Sequence, residues 1–324
     1  MDKCGFLSPR YFNSIEIDRL HGVFKKKSAN EEKLLAERNW YLSIPKELSR
    51  YVPKVFGFSG GGSSAELDLE LFDMPALASL YIRSDSSDTH LWRKILAELF
   101  KIHSEFSKFG ASKNAWCGAY AGGFENIYLR QTRERLNMVS ESALSETFSA
   151  FRLKINGDFF DNFGLLADEF YSRLEKLSRN GRCAVIHGDF CFSNILFNAQ
   201  NLSFKLVDPR GSFGGGMGIF GDVRYDMAKL RHSAVGLYDF ITAGKYSLEE
   251  HSPCDFSFAI NAPTCLSEIS MFFDSLCESA GYQTEEITLI EAMLFLSMIP
   301  LHAEDARRQK AFYIIAIKKL NEIL

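Results

Sequence analysis

At 324 residues the chain exceeds the size at which one hydrophobic core stops growing, so two lobes are expected. With 46% hydrophobic and 24% charged residues it has an ordinary globular balance, and its net charge of −4 argues against a nucleic-acid partner, which would call for a basic face. Seven cysteines, an odd number without a C-x-x-C pair, fit reduced thiols in a cytoplasmic protein. The start of the chain lacks the apolar core of a signal peptide, and no run approaches about 18 apolar residues, so no membrane span is expected.

Residues 11–27 read as short strands: Tyr11 to Ile17 alternates, Asp18-Arg19 turns, and Leu20 to Lys27 follows. Ser28 or Asn30 caps a helix carrying Leu34, Leu35 and Tyr41 or Leu42 at helical spacing, and Pro45 and Pro53 punctuate its exit. Val55 to Phe58 and Leu67 to Phe72 are further strands, separated by the glycine-serine patch 59–64. After Pro75 the character changes. Leu91, Trp92, Ile95, Leu96, Leu99 and Ile102 mark an amphipathic helix over 88–109. Helices are expected near 124–141, 144–154 and 161–179, and again near 222–242, 264–281, 284–298 and 303–323, with Pro300 between the last two. The expectation is a β-rich unit over 1–75 and a mainly helical unit over 76–324.

One stretch carries chemistry. The apolar run Ala184-Val185-Ile186 delivers His187-Gly188-Asp189, and Asn194 follows Asp189 by five positions. A strand-like segment, a polar turn (198–201) and a second apolar segment then end in Asp208. Phosphoryl transfer needs a base to orient an attacking hydroxyl and two oxygen ligands to hold Mg²⁺ on nucleotide phosphates. Asp189 suits the base, and Asn194 and Asp208 supply the hard oxygens that Mg²⁺ prefers. The Asp-x-x-x-x-Asn spacing is that of the kinase catalytic loop.

This run resembles the catalytic and metal-binding loops of the aminoglycoside phosphotransferase and choline kinase superfamily, which uses HGD where protein kinases use HRD. Gly221 to Leu230, with Asp222 and Asp226, is similar to that family's D-x-x-x-D-[LM]-A helix start. The resemblance implies an α+β bilobal protein-kinase-like fold: a small β-rich N-lobe with one helix, and a large, mainly helical C-lobe carrying a catalytic β-hairpin. It also implies that Asp226 supports the catalytic loop through hydrogen bonds and that His187 organises the loop. In this fold a strand lysine paired with a helix glutamate holds the nucleotide phosphates. Lys25, Lys26 and Lys27 compete for that place. Val23-Phe24-Lys25 best matches the family pattern, so Lys25 is expected, with Lys26 next and Glu37 as partner ahead of Glu31 and Glu32. Glu70 and Phe72 fall at the lobe-connecting hinge, where backbone groups would bind adenine. No G-x-G-x-x-G loop precedes the lysine strand, which leaves Asn13 and Ser14 as phosphate-loop candidates.

The implied function is an ATP- and Mg²⁺-dependent kinase of a hydroxyl on a small molecule: an amino alcohol, a sugar or an aminoglycoside-like acceptor. The alternative is a nucleotide-binding pseudokinase or interaction module. Arg210, Asp222, Arg224 and His302 are candidates for acceptor contact, the arginines because guanidinium pairs bidentately with anions. The competing reading pairs Arg210 and Arg224 with Asp222 and Asp226. It makes His302, Asp305 and Arg308 an ordinary helix start. Trp116, Tyr120 and Tyr238 are candidates for an aromatic cation box. Cys191 is read as buried packing rather than a reactive thiol. Oligomeric state is left open.

Overall fold

A computed structural model describes residues 13–61, 64–85, 88–111, 122–140, 142, 144–262 and 266–324, with the backbone alone at Asn13. Cys4, Cys117, Cys265, Trp116, Tyr120 and the Asn13 side chain lie outside the described set.

The N-terminal part is a four-stranded antiparallel sheet and one long helix. Strands β1 (Asn13–Asp18) and β2 (Val23–Ser28) form a hairpin, helix α1 (Glu31–Ser43) follows, and β3 (Val55–Ser59) and β4 (Ala65–Glu70) complete the order β1-β2-β4-β3. Asn30 caps α1 by accepting the Lys33 amide at 2.9 Å, satisfying one of the orphan donors of the first turn. The period-2 pattern of β4 buries Ala65, Leu67 and Leu69 and leaves Glu66, Asp68 and Glu70 on the other face. Leu34, Trp40 and Tyr41 of α1 belong to the same apolar core.

The larger part begins with α2 (Leu77–Tyr81) and the amphipathic α3 (Thr89–Ser107). A π-turn at Asn126–Arg130 leads into α4 (Gln131–Ser140), and α5 (Ser145–Ser149) is a short helix. The helix expected over 144–154 ends there: residues 152–155 are strand β5 (Arg152–Ile155), paired with β6 (Asp158–Asp161). Helix α6 (Phe163–Arg179) then feeds β7 (Cys183–Val185), β8 (Ile195–Asn198) and β9 (Ser203–Leu206), the last two forming the expected hairpin. The glycine-rich stretch contributes β10 (Ser212–Phe213), β11 (Gly216–Met217) and β12 (Phe220–Asp222). Helix α7 (Val223–Ala234) is separated from α8 (Tyr238–Thr242) by Leu237, whose φ of 55° breaks what the sequence suggested was one helix. Strands β13 (Tyr246–Ser252) and β14 (Asp255–Ile260) precede α9 (Leu266–Ser279), α10 (Thr284–Met298) and α11 (Ala306–Ile323).

The C-terminal part is therefore not helical around a lone hairpin. It carries a second four-stranded sheet, β13-β14-β5-β6, in which β5 lies parallel to β14. The chain nonetheless adopts the expected α+β arrangement, a small β-rich sheet followed by a larger helical part. Among the described residues no helix is long and apolar enough to cross a membrane.

Candidate functional site

Topology brings the site together before any side chain does. Strand β7 pairs with β12, so the chain leaving β7 at residue 186 starts beside the N-terminus of α7. The hairpin β8–β9 is tied to the segment joining the two parts, because the Phe197 amide donates to the Pro75 carbonyl at 2.9 Å. Helix α1 closes on the same loops. Trp40 Nε1 donates to the Ile186 carbonyl at 2.8 Å, and the Asp208 amide donates to Tyr41 Oη at 3.1 Å. Gly211, at φ 66°, passes so close that a Cβ there would lie 2.3 Å from the Ala36 carbonyl oxygen.

Asp189 is held at both oxygens. Asn194 Nδ2 donates to Oδ2 at 2.9 Å and to the Asp189 carbonyl at 3.0 Å; Lys229 Nζ lies 2.9 Å from Oδ1. With the Asn194 amide nitrogen committed to Asp189, its carbonyl oxygen is left free to serve as a ligand. Beneath them, buried Asp226 accepts the amides of His187 (2.6 Å) and Gly188 (2.8 Å), the loop-supporting geometry expected of it. Burial pushes its carboxyl up to about 7, against the opposing pull of those two amides. His187 contributes backbone groups: its carbonyl also accepts the Arg210 amide at 2.9 Å. Its ring is packed between Trp40 and Phe190, and burial pulls its pKa down to about 4.

The β2 lysine that meets Glu37 and Asp208 is Lys26, not Lys25. Lys26 Nζ lies 2.6 Å from Glu37 Oε2 and 2.5 Å from Asp208 Oδ1, with its side chain 11% exposed. Burial opposes its charge, but Glu37 and Asp208 outweigh that and hold the ammonium above the ordinary lysine range. The same contact holds Asp208 below the usual carboxylate range, although burial alone would raise it. Lys25 points to the opposite face, 3.4 Å from both Glu66 and Asp68. The physical reason is register. In β2 Lys26 pairs with the apolar Ile15 and Leu67, whereas Lys25 sits opposite the acids Glu16 and Asp68. Phe24 does not mark the next residue as inward; the residues on alternate positions, Lys26 and Ser28, are the buried ones. The apolar positions of β4 carry this signal in the sequence. Glu37 pairs with Lys26 rather than with the expected Lys25.

Three acceptor-contact candidates are committed elsewhere. Asp222 is fully buried, caps α7 through the Arg224 amide (3.0 Å) and accepts from Tyr128 Oη (3.0 Å). Arg224 pairs with Asp222 at 2.6 Å and Glu286 at 3.1 Å, and donates to the Leu177 carbonyl. These two form a buried scaffold pair. His302 sits beside Glu304 and Arg308, and Asp305 caps α11 by accepting the Arg308 amide at 2.9 Å, the ordinary helix start. Arg210 alone keeps neutral partners, Tyr225 Oη at 2.7 Å and Gln131 Oε1 at 3.5 Å. At the hinge, Glu70 accepts the Lys54 amide and Phe72 lies under Lys205, whose amine is 4.7 Å from the ring centroid. Ser14 is exposed on β1 opposite Lys27. Tyr238 stacks on His232 at 4.5 Å. Cys191 is buried, and burial raises its thiol well above the ordinary range, so it is packing and not a nucleophile.

Sequence reasoning missed Lys229. Burial works against its charge, and Asp189 outweighs burial and holds the ammonium above the usual range. The available signal was its spacing of three from Asp226, which puts both on the face of α7 that meets the catalytic loop.

The sequence matches no family model and no curated protein. Among solved structures, the fold is similar to that of a thermostable mutant of the aminoglycoside phosphotransferase APH(4)-Ia in ternary complex with AMP-PNP and hygromycin B. The TM-score is 0.53 at 13% identity, over 96% of this chain and 92% of that one. It is likewise similar to the structure of APH(4)-Ia itself, with a TM-score of 0.52 at 12% identity, over 96% of this chain and 91% of that one. The chain has the fold of these proteins, the protein-kinase-like arrangement of a small β-rich lobe on a larger helical one.

Proposed function

We propose that the chain is an ATP- and Mg²⁺-dependent phosphotransferase acting on a hydroxyl of a small molecule. The observation that carries this is convergence on one hairpin. Lys26, Glu37 and Asp208 meet at its end, and Asp189 and Asn194 meet at its start. The structurally similar APH(4)-Ia mutant was crystallised with a nucleotide analogue and a small molecule, which agrees with that assignment.

The roles follow from charge and position. Asp189 accepts a hydrogen bond from the acceptor hydroxyl, orients it and takes its proton as the new bond forms. Lys229 and Asn194 fix that carboxylate, one at each oxygen. Lys26, steadied by Glu37, draws the nucleotide phosphates towards the hairpin. The donor set of Asn194 carbonyl and Asp208 carboxylate fits Mg²⁺, which keeps water and phosphate oxygens in the rest of its shell. When bound, the ion neutralises phosphate charge.

The test is ADP release from MgATP across amino alcohols, sugars and aminoglycosides. Asp189→Asn should lower turnover by roughly 10²- to 10⁴-fold, the range of a lost general base. An undiminished rate in that variant sinks the assignment. MgATP binding without ADP release on every acceptor would instead favour a nucleotide-binding module.

A further inference from the structure

Among the described residues most charged groups packed around the catalytic loop are matched inside the protein, and Arg210 and the buried Asp239 make no ion pair. Asp226 holds two amides, Lys229 holds Asp189, and Arg224 holds Asp222 and Glu286. Arg231, further along α7, pairs with Asp274 and Glu291. Arg210 is half-buried, and among the described residues it makes no ion pair. Its guanidinium donates to a phenol and an amide, both neutral, and lies 5.6 Å from the centroid of the Tyr225 ring. Partial burial strips water from the cation, and neutral acceptors replace only part of what is lost.

Its position is fixed rather than incidental. The Arg210 amide is bonded to the His187 carbonyl, and its stem crosses Gly188 so closely that a Cβ there would lie 2.7 Å from the Arg210 Cβ. Gly188, at φ 79°, therefore makes room for this arginine immediately beside Asp189. Helix α7 sets the separation. Tyr225, which receives the guanidinium, and Lys229, which receives the Asp189 carboxylate, are four residues apart on one helix face. The rise between them is about 6 Å, roughly one turn.

We propose that Arg210 binds an anionic group, a carboxylate or a phosphate, on the acceptor whose hydroxyl faces Asp189. This rests on the phosphotransferase reading of the site and names its substrate class: a hydroxy acid or a phosphorylated polyol about one helical turn long, not a polyamine. Lys229 is spent on Asp189 and Arg210 makes no ion pair among the described residues, so an anionic acceptor meets a guanidinium fork where a polycationic one meets a like charge. In the transfer, the acceptor oxygen bonds to the γ-phosphorus, the bond from that phosphorus to the ADP oxygen breaks, and the hydroxyl proton goes to Asp189.

Two arms test this on the full chain. In the first, ADP release from MgATP is measured on sugar phosphates, sugar acids, the matching neutral sugars and hygromycin B. The anionic acceptors should be preferred over their neutral counterparts by about tenfold or more in kcat/KM. Arg210→Gln should raise their KM roughly 10- to 100-fold, the worth of a charge-assisted hydrogen bond, while leaving the KM for ATP unchanged. Preference for neutral or polycationic acceptors, or an effect of Arg210→Gln on ATP alone, overturns the proposal. In the second arm, inorganic phosphate is titrated without nucleotide and the melting temperature is followed. Phosphate should stabilise wild type and Arg210→Lys more than Arg210→Gln; an equal response of all three overturns the anion site. Arg210→Lys keeps the charge, so it also separates lost recognition from lost folding. Should wild type release no ADP on any acceptor, the phosphotransferase reading fails, and the phosphate arm still decides whether the anion site exists.

Discussion

The two sides of the catalytic hairpin are charged differently. On the side facing the small sheet, one ammonium, that of Lys26, lies between Glu37 and Asp208, and burial pushes the Glu37 carboxyl up to about 7. On the side facing α7, Lys229 is spent on Asp189, the buried Asp226 is spent on two backbone amides, and among the described residues Arg210 makes no ion pair. The proposed reaction brings a metal with the nucleotide to the first side and an acidic group with the acceptor to the second.

The largest expected effect tests whether the buried pair behind α7 is scaffold rather than part of the acceptor side. Arg224→Leu strands the fully buried Asp222 carboxylate and should cost about 3–5 kcal/mol of unfolding free energy in urea, with acceptor KM unchanged. A raised KM at full stability would move Arg224 back to the acceptor side.

Next comes the pH dependence of the frame under the loop. His103 is buried, its Nε2–H donates to the Val223 carbonyl at 3.0 Å, and burial lowers its pKa from 6.5 to about 4. The folded state therefore binds fewer protons than the unfolded chain between those values. The histidine's contribution is fully present above pH 6.5 and is lost as pH falls towards 4, by about 3 kcal/mol. His103→Gln should lose that much less stability than wild type over the same window; parallel curves would show that the ring titrates freely. Asp226, whose carboxyl shifts the other way, is common to both proteins and cancels.

Lys229→Met releases one oxygen of Asp189 and should lower kcat by about 10²-fold, the cost of misplacing a reacting group, with KM for ATP little changed. A pure loss of ATP affinity would assign Lys229 to the other side of the hairpin.

What the sequence made legible was local. Asp189, Asn194 and Asp208 sit in one run whose spacing carries the proposed chemistry, and Asp226 follows from a short helix-start pattern. The choice among three consecutive lysines turned on which face of β2 is buried. That is decided by pairing with Ala65, Leu67 and Leu69, some forty residues away, and not by the residues adjoining the lysine. Lys229 lay in a motif already noticed, but its partner is forty positions earlier in the chain. The second sheet was missed for the same reason. Strand β5 has four residues, and its parallel neighbour β14 is about a hundred residues downstream, so neither its length nor its immediate flanks announce it. The alternation of Phe256, Phe258 and Ile260 was the readable trace of β14.

The register of β2 gives the most direct measurement. MgATP is titrated calorimetrically into wild type, Lys25→Met and Lys26→Met. Wild type and Lys25→Met should bind alike, because Lys25 pairs with Glu66 and Asp68 on the face of β2 opposite Lys26. Lys26→Met should bind at least about tenfold more weakly, since a charge-assisted contact to phosphate is lost. Equal binding by all three proteins, or a loss confined to Lys25→Met, would contradict the assignment of Lys26, Glu37 and Asp208 as the nucleotide side of the site.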